Sequence, residues 1–203
     1  MIIGIVGFQG AVSEHFDAIS AAMKVLKIKG EVIEIRSPAD VDKVDGIVIP
    51  GGESTTISRH LRATGAMGRI AERVKNEDLP IMGTCAGCIM LAKGGDRQME
   101  HTAGTLAIMD MLVNRNAFGR QRESFEVKLE VKKIAKDFPG VFIRGPSITE
   151  VSGNCKAICT LDGTIVAASQ GRRLALCFHP ELTGDLRIHK HFLKIVKEWK
   201  NKK

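Results

Sequence analysis

The sequence predicts an α/β fold, a three-layer sandwich in which helices cover both faces of a mostly parallel central sheet. The apolar runs at 2–8 ("IIGIVGF") and 45–52 ("DGIVIPGG") are nearly continuous, a pattern typical of parallel strands buried on both faces. Segments with helical spacing separate such runs, which is the order expected of βαβ units. The chain has 203 residues, and we expect a single domain over 1–203.

The first half of the chain alternates strands and helices, whereas the second half consists of short strands joined by turns. Ser13 is the expected N-cap of the first helix, and Gly65 is expected to break the second helical segment, 54–75. Predicted strands cover 2–8, 31–36, 45–52, 79–85, 123–131, 140–145, 155–161, 164–170 and 173–179, and predicted helices cover 13–28, 54–75, 86–93 and 186–200.

Composition and charge favour a cytoplasmic protein that binds neither membrane nor nucleic acid. No apolar run approaches the ~20 residues that span a bilayer, and the N-terminus has no secretory signal pattern. Much of the basic excess behind the net charge of +7 lies at the C-terminal end, which lacks the patterns of nucleic-acid-binding modules. An acidic protein partner explains this charge equally well.

Cys85 lies in "GTCAG" (83–87), where a buried strand passes directly into a helix. The pattern G-x-C-x-G is the cysteine counterpart of the nucleophile elbow, in which small neighbours permit a strained turn. The N-terminus of the following helix favours a thiolate at this point. The pentapeptide alone is equally compatible with an inert buried cysteine that ends a core strand.

Cys88 forms a C-x-x-C with Cys85, which raises zinc or redox chemistry as an alternative. A four-cysteine site would need Cys155 and Cys159 as its second ligand pair. The apolar helix that contains Cys88 argues against such a site, because it leaves this side chain facing inward. The cysteines number five, an odd count, so we expect no disulfide framework.

A cysteine nucleophile needs a base, and His179 is the candidate. It follows the apolar strand "LALCF" and precedes Pro180, which restricts it towards an extended conformation. Residues 179 and 181 of an extended segment point to the same side, so Glu181 can orient the imidazole ring. A histidine that merely caps a strand is the alternative. The other histidines have charged neighbours and are expected on the surface, namely His15, His60, His101, His189 and His191.

The turn "PGGES" (50–54) follows another buried strand and can supply backbone donors for an oxyanion. The N–H groups of Gly52 and of Ala86, next to the nucleophile, are the expected pair. A generic Gly-Gly turn is the alternative. The run is not a P-loop, because no G-K-[ST] follows it.

These motifs together resemble the class I (triad) glutamine amidotransferases, which have a flavodoxin-like fold. "GTCAG" and "HPE" indicate only this superfamily, whereas "GGESTT", "RNAFGRQ" and "FIRGP" are similar to the glutaminase subunits of two-protein pyridoxal 5′-phosphate synthase. Two residues depart from the pattern of this family. Phe8 replaces a smaller aliphatic residue, and Cys88 stands where the family usually has an aliphatic residue. The matching stretches cover 7–15, 49–61, 80–93, 109–126, 142–148 and 177–193.

The resemblance implies that L-glutamine is hydrolysed and that its ammonia passes to a partner synthase subunit in a hetero-oligomer. It implies that Cys85 attacks the side-chain amide, that His179 acts as base and then as acid, and that Glu181 orients His179. It implies no cofactor and no metal. Gln9 is similar to a position that responds to partner docking.

The resemblance also implies a glutamine pocket, in which Arg115 is suited to bind the substrate carboxylate. Two alternatives stay open, a glutaminase that serves another synthase, such as that of imidazole glycerol phosphate synthesis, and a non-catalytic or protease-like relative. The implied pocket residues are Gly52, Glu53, Ser54, Arg115, Ile143 and Arg144, with Gly52 and Ala86 also forming the oxyanion hole.

Overall fold

A ten-stranded sheet forms the centre of the computed structural model, which describes residues 1–96, 104–115 and 124–202. Its strand order is β2-β1-β3-β4-β12-β11-β9-β6-β5, and β10 pairs with β11. A separate hairpin consists of β7 and β8. The strands are β1 (Ile2–Val6), β2 (Glu31–Ile35), β3 (Gly46–Ile49), β4 (Ile81–Thr84), β5 (Ala92–Gly95), β6 (Met109–Asn114), β7 (Ser124–Val131), β8 (Ala135–Ile143), β9 (Ser147–Val151), β10 (Lys156–Leu161), β11 (Thr164–Gln170) and β12 (Arg173–Leu176).

The five strands β2, β1, β3, β4 and β12 are adjacent and mutually parallel. Every residue of β3 and β4 is buried, as the continuous apolar runs in the sequence predict. The strands beyond β12 pair antiparallel, apart from the parallel pair β5 and β6 at the edge. The predicted α/β class with a mostly parallel central sheet is therefore confirmed.

The helices form two packed groups around this sheet. One group contains α1 and α6, and α6 places Phe192 and Val196 against Gly46 of β3. The other contains α2 to α5, in which α4 contacts both α2 and α3, and α3 also contacts α5. The helices are α1 (Val12–Val25), α2 (Pro38–Lys43), α3 (Ser54–Ala63), α4 (Ala66–Glu77), α5 (Ala86–Leu91) and α6 (Arg187–Lys200).

Most predicted elements of the first half are present with shifted ends. The break between α3 and α4 lies at Gly65, whose φ of 79° suits glycine. The N-cap prediction for Ser13 is wrong, because α1 begins at Val12 and the Ser13 hydroxyl binds Glu14 instead. The helix α2 was not predicted; Ser37 caps it by accepting a hydrogen bond from the Asp40 N–H.

The second half differs more from expectation. The helix predicted over 86–93 ends at Leu91, because the chain turns into β5 at Ala92. The strand predicted at 140–145 is the end of the longer β8, and β5, β6 and β9 were not predicted. The first residue of the predicted strand 123–131 lies outside the described residues. No helix within the described residues is long and apolar enough to cross a membrane.

Candidate active site

The turn between β4 and α5 places Cys85 in a strained backbone conformation, with φ of 48° and ψ of −105°. Its neighbours must be small for steric reasons. A Cβ atom at Gly83 would lie 2.4 Å from the carbonyl oxygen of Gly87, and one at Gly87 would lie 2.0 Å from the carbonyl oxygen of Ile49. The sequence pattern G-x-C-x-G is thus the local requirement of a tight strand-to-helix turn.

His179 follows β12 and lies between Cys85 and Glu181. Its Nδ1 atom is 2.7 Å from Oε1 of Glu181. Its ring and the Cβ atom of Cys85 both lie within 3.2 Å of the position that a Cβ atom of Gly51 would occupy, so the two side chains are neighbours. Burial works to lower the pKa of His179, but the interactions with Cys85 and Glu181 outweigh it and raise the pKa to about 10. The three side chains therefore form a connected Cys–His–Glu arrangement at the carboxyl ends of two adjacent parallel strands.

The backbone that joins His179 to Glu181 is not extended, contrary to the sequence argument. Residues Pro180–Leu182 form a 3₁₀ turn, and the His179 N–H donates a hydrogen bond to the Val141 carbonyl. Proline begins this turn well because its φ is already fixed near the helical value. The turn brings the carboxylate back to the imidazole ring that precedes it.

The Gly51–Gly52 peptide lies beside the cysteine. The Gly51 carbonyl accepts a hydrogen bond of 3.1 Å from the Ala11 N–H, so the Gly52 N–H, trans to it, is directed away from α1. A Cβ atom at Gly51 would lie 3.2 Å from that of Cys85, which shows how closely this peptide approaches the cysteine. The Ala86 N–H is the first of α5 and has no acceptor within that helix.

Gln9 fixes the neighbouring peptide. Its Oε1 atom accepts a hydrogen bond of 2.6 Å from the Glu53 N–H, across the gap between the ends of β1 and β3. The strand order reverses direction at this gap, which makes it the topological switch point where α/β sheets bind ligands.

A cavity of about 560 Å³ opens above Cys85. It contains all but one of the predicted pocket residues. Ile143, at the end of β8, is 42% exposed and does not line it. The lining residues are Gly52, Glu53, Ser54, Thr55, Cys85, Ala86, Ile89, Arg115, Arg144 and Pro146.

Glu53 and Arg115 provide the charges at the mouth of this cavity. The Glu53 carboxylate caps α3 by accepting hydrogen bonds from the N–H groups of Thr55 and Thr56. Arg115 places Nη2 3.4 Å from Oε1 of Glu53 and also 3.4 Å from Oγ1 of Thr55. The Glu53 side chain of this ion pair is 51% exposed, whereas that of Arg115 is 17% exposed.

The other four cysteines, unlike Cys85, belong to the hydrophobic core. Cys88 is fully buried with its Sγ 3.9 Å from that of Cys177, and both belong to the core. Burial raises the pKa of Cys177, and raises those of Cys155 and Cys159 to about 11, so all three stay protonated at neutral pH. Within the described ranges, no group of three or more His, Cys, Asp or Glu side chains is placed to hold a metal ion.

The surface prediction is wrong for two histidines, which are buried. His15 and His189 both have 0% exposure, whereas His60 is exposed as predicted. The helical spacing of the sequence already indicates burial of His15, since it lies on the same buried face of α1 as Ile19 and Ala22. His191 is half-buried, and His101 lies outside the described residues.

Comparison with known proteins identifies the family. A model described as the SNO glutamine amidotransferase family matches residues 5–198. The chain belongs to the SNO glutamine amidotransferase family. The elbow cysteine, the His-Pro-Glu segment and the Gly-Gly-Glu-Ser turn described above all lie within the matched range.

Relatives within this amidotransferase family cover almost the whole chain. The pyridoxal 5′-phosphate synthase subunit PdxT of Methanosarcina mazei is 54% identical over 200 residues, which cover 97% of this chain and 98% of that protein. PdxT of Archaeoglobus fulgidus is 49% identical over 196 residues, which cover 96% and 98%.

Solved structures share the fold. A crystal structure of a glutamine amidotransferase matches with a TM-score of 0.86 at 38% identity, covering 97% of this chain and 100% of that one. A glutamine amidotransferase from Thermotoga maritima matches with a TM-score of 0.59 at 13% identity, covering 99% and 84%, which is a likeness of fold alone.

Proposed function

We propose that this protein is the glutaminase subunit of a pyridoxal 5′-phosphate synthase. It hydrolyses L-glutamine to glutamate and ammonia and delivers the ammonia to a synthase subunit in a hetero-oligomer. The observation that carries the proposal is the contact of His179 with Cys85 on one side and Glu181 on the other, beneath a cavity with a charged mouth. The relatives named as pyridoxal 5′-phosphate synthase subunits favour this synthase over that of imidazole glycerol phosphate synthesis.

The reaction proceeds by acyl transfer through Cys85. The thiolate attacks the side-chain carbonyl carbon of glutamine, and His179 gives a proton to the departing nitrogen, which leaves as ammonia. A thioester of glutamate remains on Cys85. His179 then removes a proton from a water molecule, whose oxygen attacks the thioester and releases glutamate and the thiolate. Glu181 holds the imidazole ring in orientation through both steps.

The oxyanion of each tetrahedral intermediate is held by the backbone N–H groups of Gly52 and Ala86. This role is supported by the position of the Gly51–Gly52 peptide beside Cys85 and by the free N–H at the start of α5. Gln9 controls this donor pair, since its hydrogen bond to the Glu53 N–H fixes the next peptide along the turn. We assign to Gln9 the response to partner docking.

The glutamine backbone is bound at the cavity mouth. Arg115 binds the substrate α-carboxylate through guanidinium N–H groups, and Glu53, already ionised, lies where a positively charged α-amino group is favoured. Ser54 and Arg144 line the rest of the cavity. Ile143 completes the site only at its rim, because it lies outside the cavity lining.

This activity requires no cofactor in the glutaminase subunit itself. We place it in the cytoplasm, a location supported by cysteines that are all unpaired in the structure.

The decisive experiment is a glutaminase assay on the purified chain, with and without the pyridoxal 5′-phosphate synthase partner. Turnover should rise sharply when the partner is added and should be abolished in Cys85→Ala. The matched control is Cys88→Ala, which removes a second buried thiol one helical turn away. Unchanged turnover in Cys85→Ala would refute the assignment of the nucleophile, and failure of the synthase to bind or activate the chain would refute the partner.

A further inference from the structure

A second histidine faces the carboxylate of Glu181 from the side opposite to His179. His15, in the first turn of α1, is wholly buried. Its Nε2 atom lies 3.3 Å from Oε2 of Glu181 and 2.9 Å from Oγ1 of Thr84. Thr84 is the last residue of β4 and precedes Cys85. One imidazole nitrogen therefore lies between the two chain segments that carry the nucleophile and the carboxylate.

The protonation state and the tautomer of the His15 ring determine which of its nitrogens carries a proton. Burial lowers the pKa of His15, so the ring is neutral at physiological pH and carries a single N–H. With the proton on Nε2, this N–H donates a hydrogen bond to the Thr84 hydroxyl, and its positive end lies 3.3 Å from the Glu181 carboxylate as an electrostatic contact rather than a second hydrogen bond. The other tautomer would place a lone pair against a carboxylate oxygen, which is repulsive. The contact with Glu181 thus selects the Nε2–H tautomer.

We propose that His15 is a positioning residue of the glutaminase site, which holds Glu181 in the orientation that His179 needs. This inference rests on the proposed function. Each carboxylate oxygen of Glu181 then has its own histidine, His179 at Oε1 and His15 at Oε2. Because His15 also binds Thr84, it ties the 3₁₀ turn of the carboxylate to the strand end of the cysteine.

His189 offers a matched control from the same buried cluster. It lies on α6 with 0% exposure, and its ring meets that of His15 at a centroid distance of 5.7 Å. Neither of its ring nitrogens has a hydrogen-bond partner among the described residues. Burial lowers its pKa to about 3, so it is neutral too. His189 shares the packing of His15 but has no counterpart to the hydrogen bond that His15 makes with Thr84.

The first test compares glutamine turnover in the complex with the synthase. His15→Leu removes the imidazole N–H and should lower kcat about 10- to 100-fold, because the His179 ring loses its orientation. KM should change little, because the glutamine pocket is unaltered. His15→Gln keeps an N–H near the position of Nε2 and should retain most of the activity. His189→Leu should leave kcat within about twofold, since the ring it replaces makes no polar contact with the triad.

These outcomes separate positioning from packing. Full activity in His15→Leu would overturn the proposal, as would a loss in His15→Gln equal to that in His15→Leu. If His15→Leu fails to fold, His15→Asn replaces it, because its shorter amide does not reach Glu181. The proposal then requires His15→Gln to be active and His15→Asn to be impaired, and equal activity of the two overturns it.

A second test uses the isolated glutaminase chain and does not depend on turnover. The rate at which iodoacetamide alkylates Cys85 is measured against pH in a variant in which Cys88 is alanine. The titratable groups facing this site are His179 and Cys177 beside Cys85, His15 and His179 beside Glu181, and Glu14, His189 and Asp185 around the two buried histidines.

With Glu181 misoriented, the imidazolium of His179 is less stabilised, so less thiolate forms at neutral pH. The pH midpoint of alkylation should rise in His15→Leu and stay at the wild-type value in His15→Gln and His189→Leu. Unfolded protein would also expose Cys155, Cys159 and Cys177 to alkylation, so the Cys85 midpoint is compared only in samples in which these buried cysteines stay unmodified. An unmoved midpoint in His15→Leu overturns the positioning role, whereas a wild-type complex without glutaminase activity would refute the proposed function instead.

Discussion

The Nδ1 atom of His179 lies 2.7 Å from the Oε1 atom of Glu181, and both side chains are buried. Burial alone would raise the pKa of Glu181, but the hydrogen bond with His179 outweighs it and lowers that pKa. The carboxylate is therefore ionised at neutral pH. A buried carboxylate fixed in this way can orient the imidazole and stabilise its protonated form.

Replacing Glu181 with glutamine should lower kcat about 10²- to 10⁴-fold, because the amide can present its NH₂ group to Nδ1 and select the wrong tautomer of His179. The measurement is steady-state glutaminase activity of the complex, with KM for glutamine expected to stay near the wild-type value. Glu198→Gln, on the exposed face of α6, makes the same chemical change far from the site and should be neutral. Equal activity of the two variants would show that Glu181 does not orient His179.

Removal of the thiol should lower the pKa of His179. The interaction with Cys85 helps to raise that pKa to about 10, and Cys85→Ala eliminates it while Glu181 stays in place. A histidine with a raised pKa stabilises the fold fully below its ordinary value of 6.5 and loses this contribution as the pH rises through the raised value. In Cys85→Ala, the contribution of His179 to the stability of the fold should therefore be lost at a lower pH than in the wild type.

The pKa change can be measured by NMR titration of the His179 ring, with Cys88→Ala as the control. Cys88 lies inside the core and is not among the groups that shift the pKa of His179. A titration midpoint that stays the same in Cys85→Ala would mean that the thiol does not interact with the ring.

The parallel half of the fold could be read from the sequence because burial on both faces leaves continuous apolar runs, as in β3 and β4. The segments at Gly51, Cys85 and His179 were found for the same reason, since each follows such a strand. By contrast, Arg115, Ile143 and Arg144 were expected in the site only because of the family resemblance. The edge of the sheet could not be found in this way. The strand β5 has the sequence "AKGG", which has little intrinsic strand preference, and its pairing with β6 depends on contacts distant in sequence.

The position of His15 shows a different limit. Its neighbour Glu14 is exposed, and that charge made the whole segment look like surface. Successive helical residues point about 100° apart, so a charged neighbour says little about which way a side chain faces. The proximity of His179 and Glu181 was predicted correctly, but from an extended backbone that is in fact a 3₁₀ turn. Local backbone geometry of this kind depends on packing that a single sequence does not reveal.

Gly87→Ala should destabilise the protein and impair the elbow. The added Cβ atom would lie 2.0 Å from the Ile49 carbonyl oxygen, which belongs to a buried strand and cannot move aside freely. We expect a loss of about 1 to 3 kcal/mol in the free energy of unfolding, as for other overpacked sites, with reduced glutaminase activity in the folded fraction. Urea unfolding and the activity assay provide the two measurements.

Gly68→Ala is the matched control for this substitution. Gly68 lies inside α4, and a Cβ atom there would meet nothing within 4 Å. Alanine is favoured over glycine in a helix by about 1 kcal/mol, so this variant should be slightly more stable than the wild type and fully active. A destabilisation of Gly68→Ala as large as that of Gly87→Ala would contradict the steric argument.

Glu53→Gln should weaken the cap of α3 in a pH-dependent way. Burial works to raise the pKa of Glu53, but hydrogen bonds from Thr56 and Thr55 outweigh it and lower the pKa from 4.5 to about 2. A carboxylate with a depressed pKa contributes stability that is fully present above its ordinary value and is lost as the pH falls through the depressed value. At pH 7 the variant should be less stable than the wild type by about 1 kcal/mol, in the range of N-cap substitutions.

This stability difference should shrink as the pH is lowered from 4.5 towards 2, because the wild-type carboxylate becomes protonated and then resembles the neutral amide. Urea unfolding at several pH values measures it, with Glu198→Gln as the control for an exposed helical glutamate. A difference that stays constant from pH 7 to pH 2.5 would show that the charge of Glu53 does not stabilise α3. Any loss of glutamine binding in Glu53→Gln would then be due to the changed cavity, where the Glu53 carboxylate lies 3.4 Å from Arg115, and not to a weaker α3.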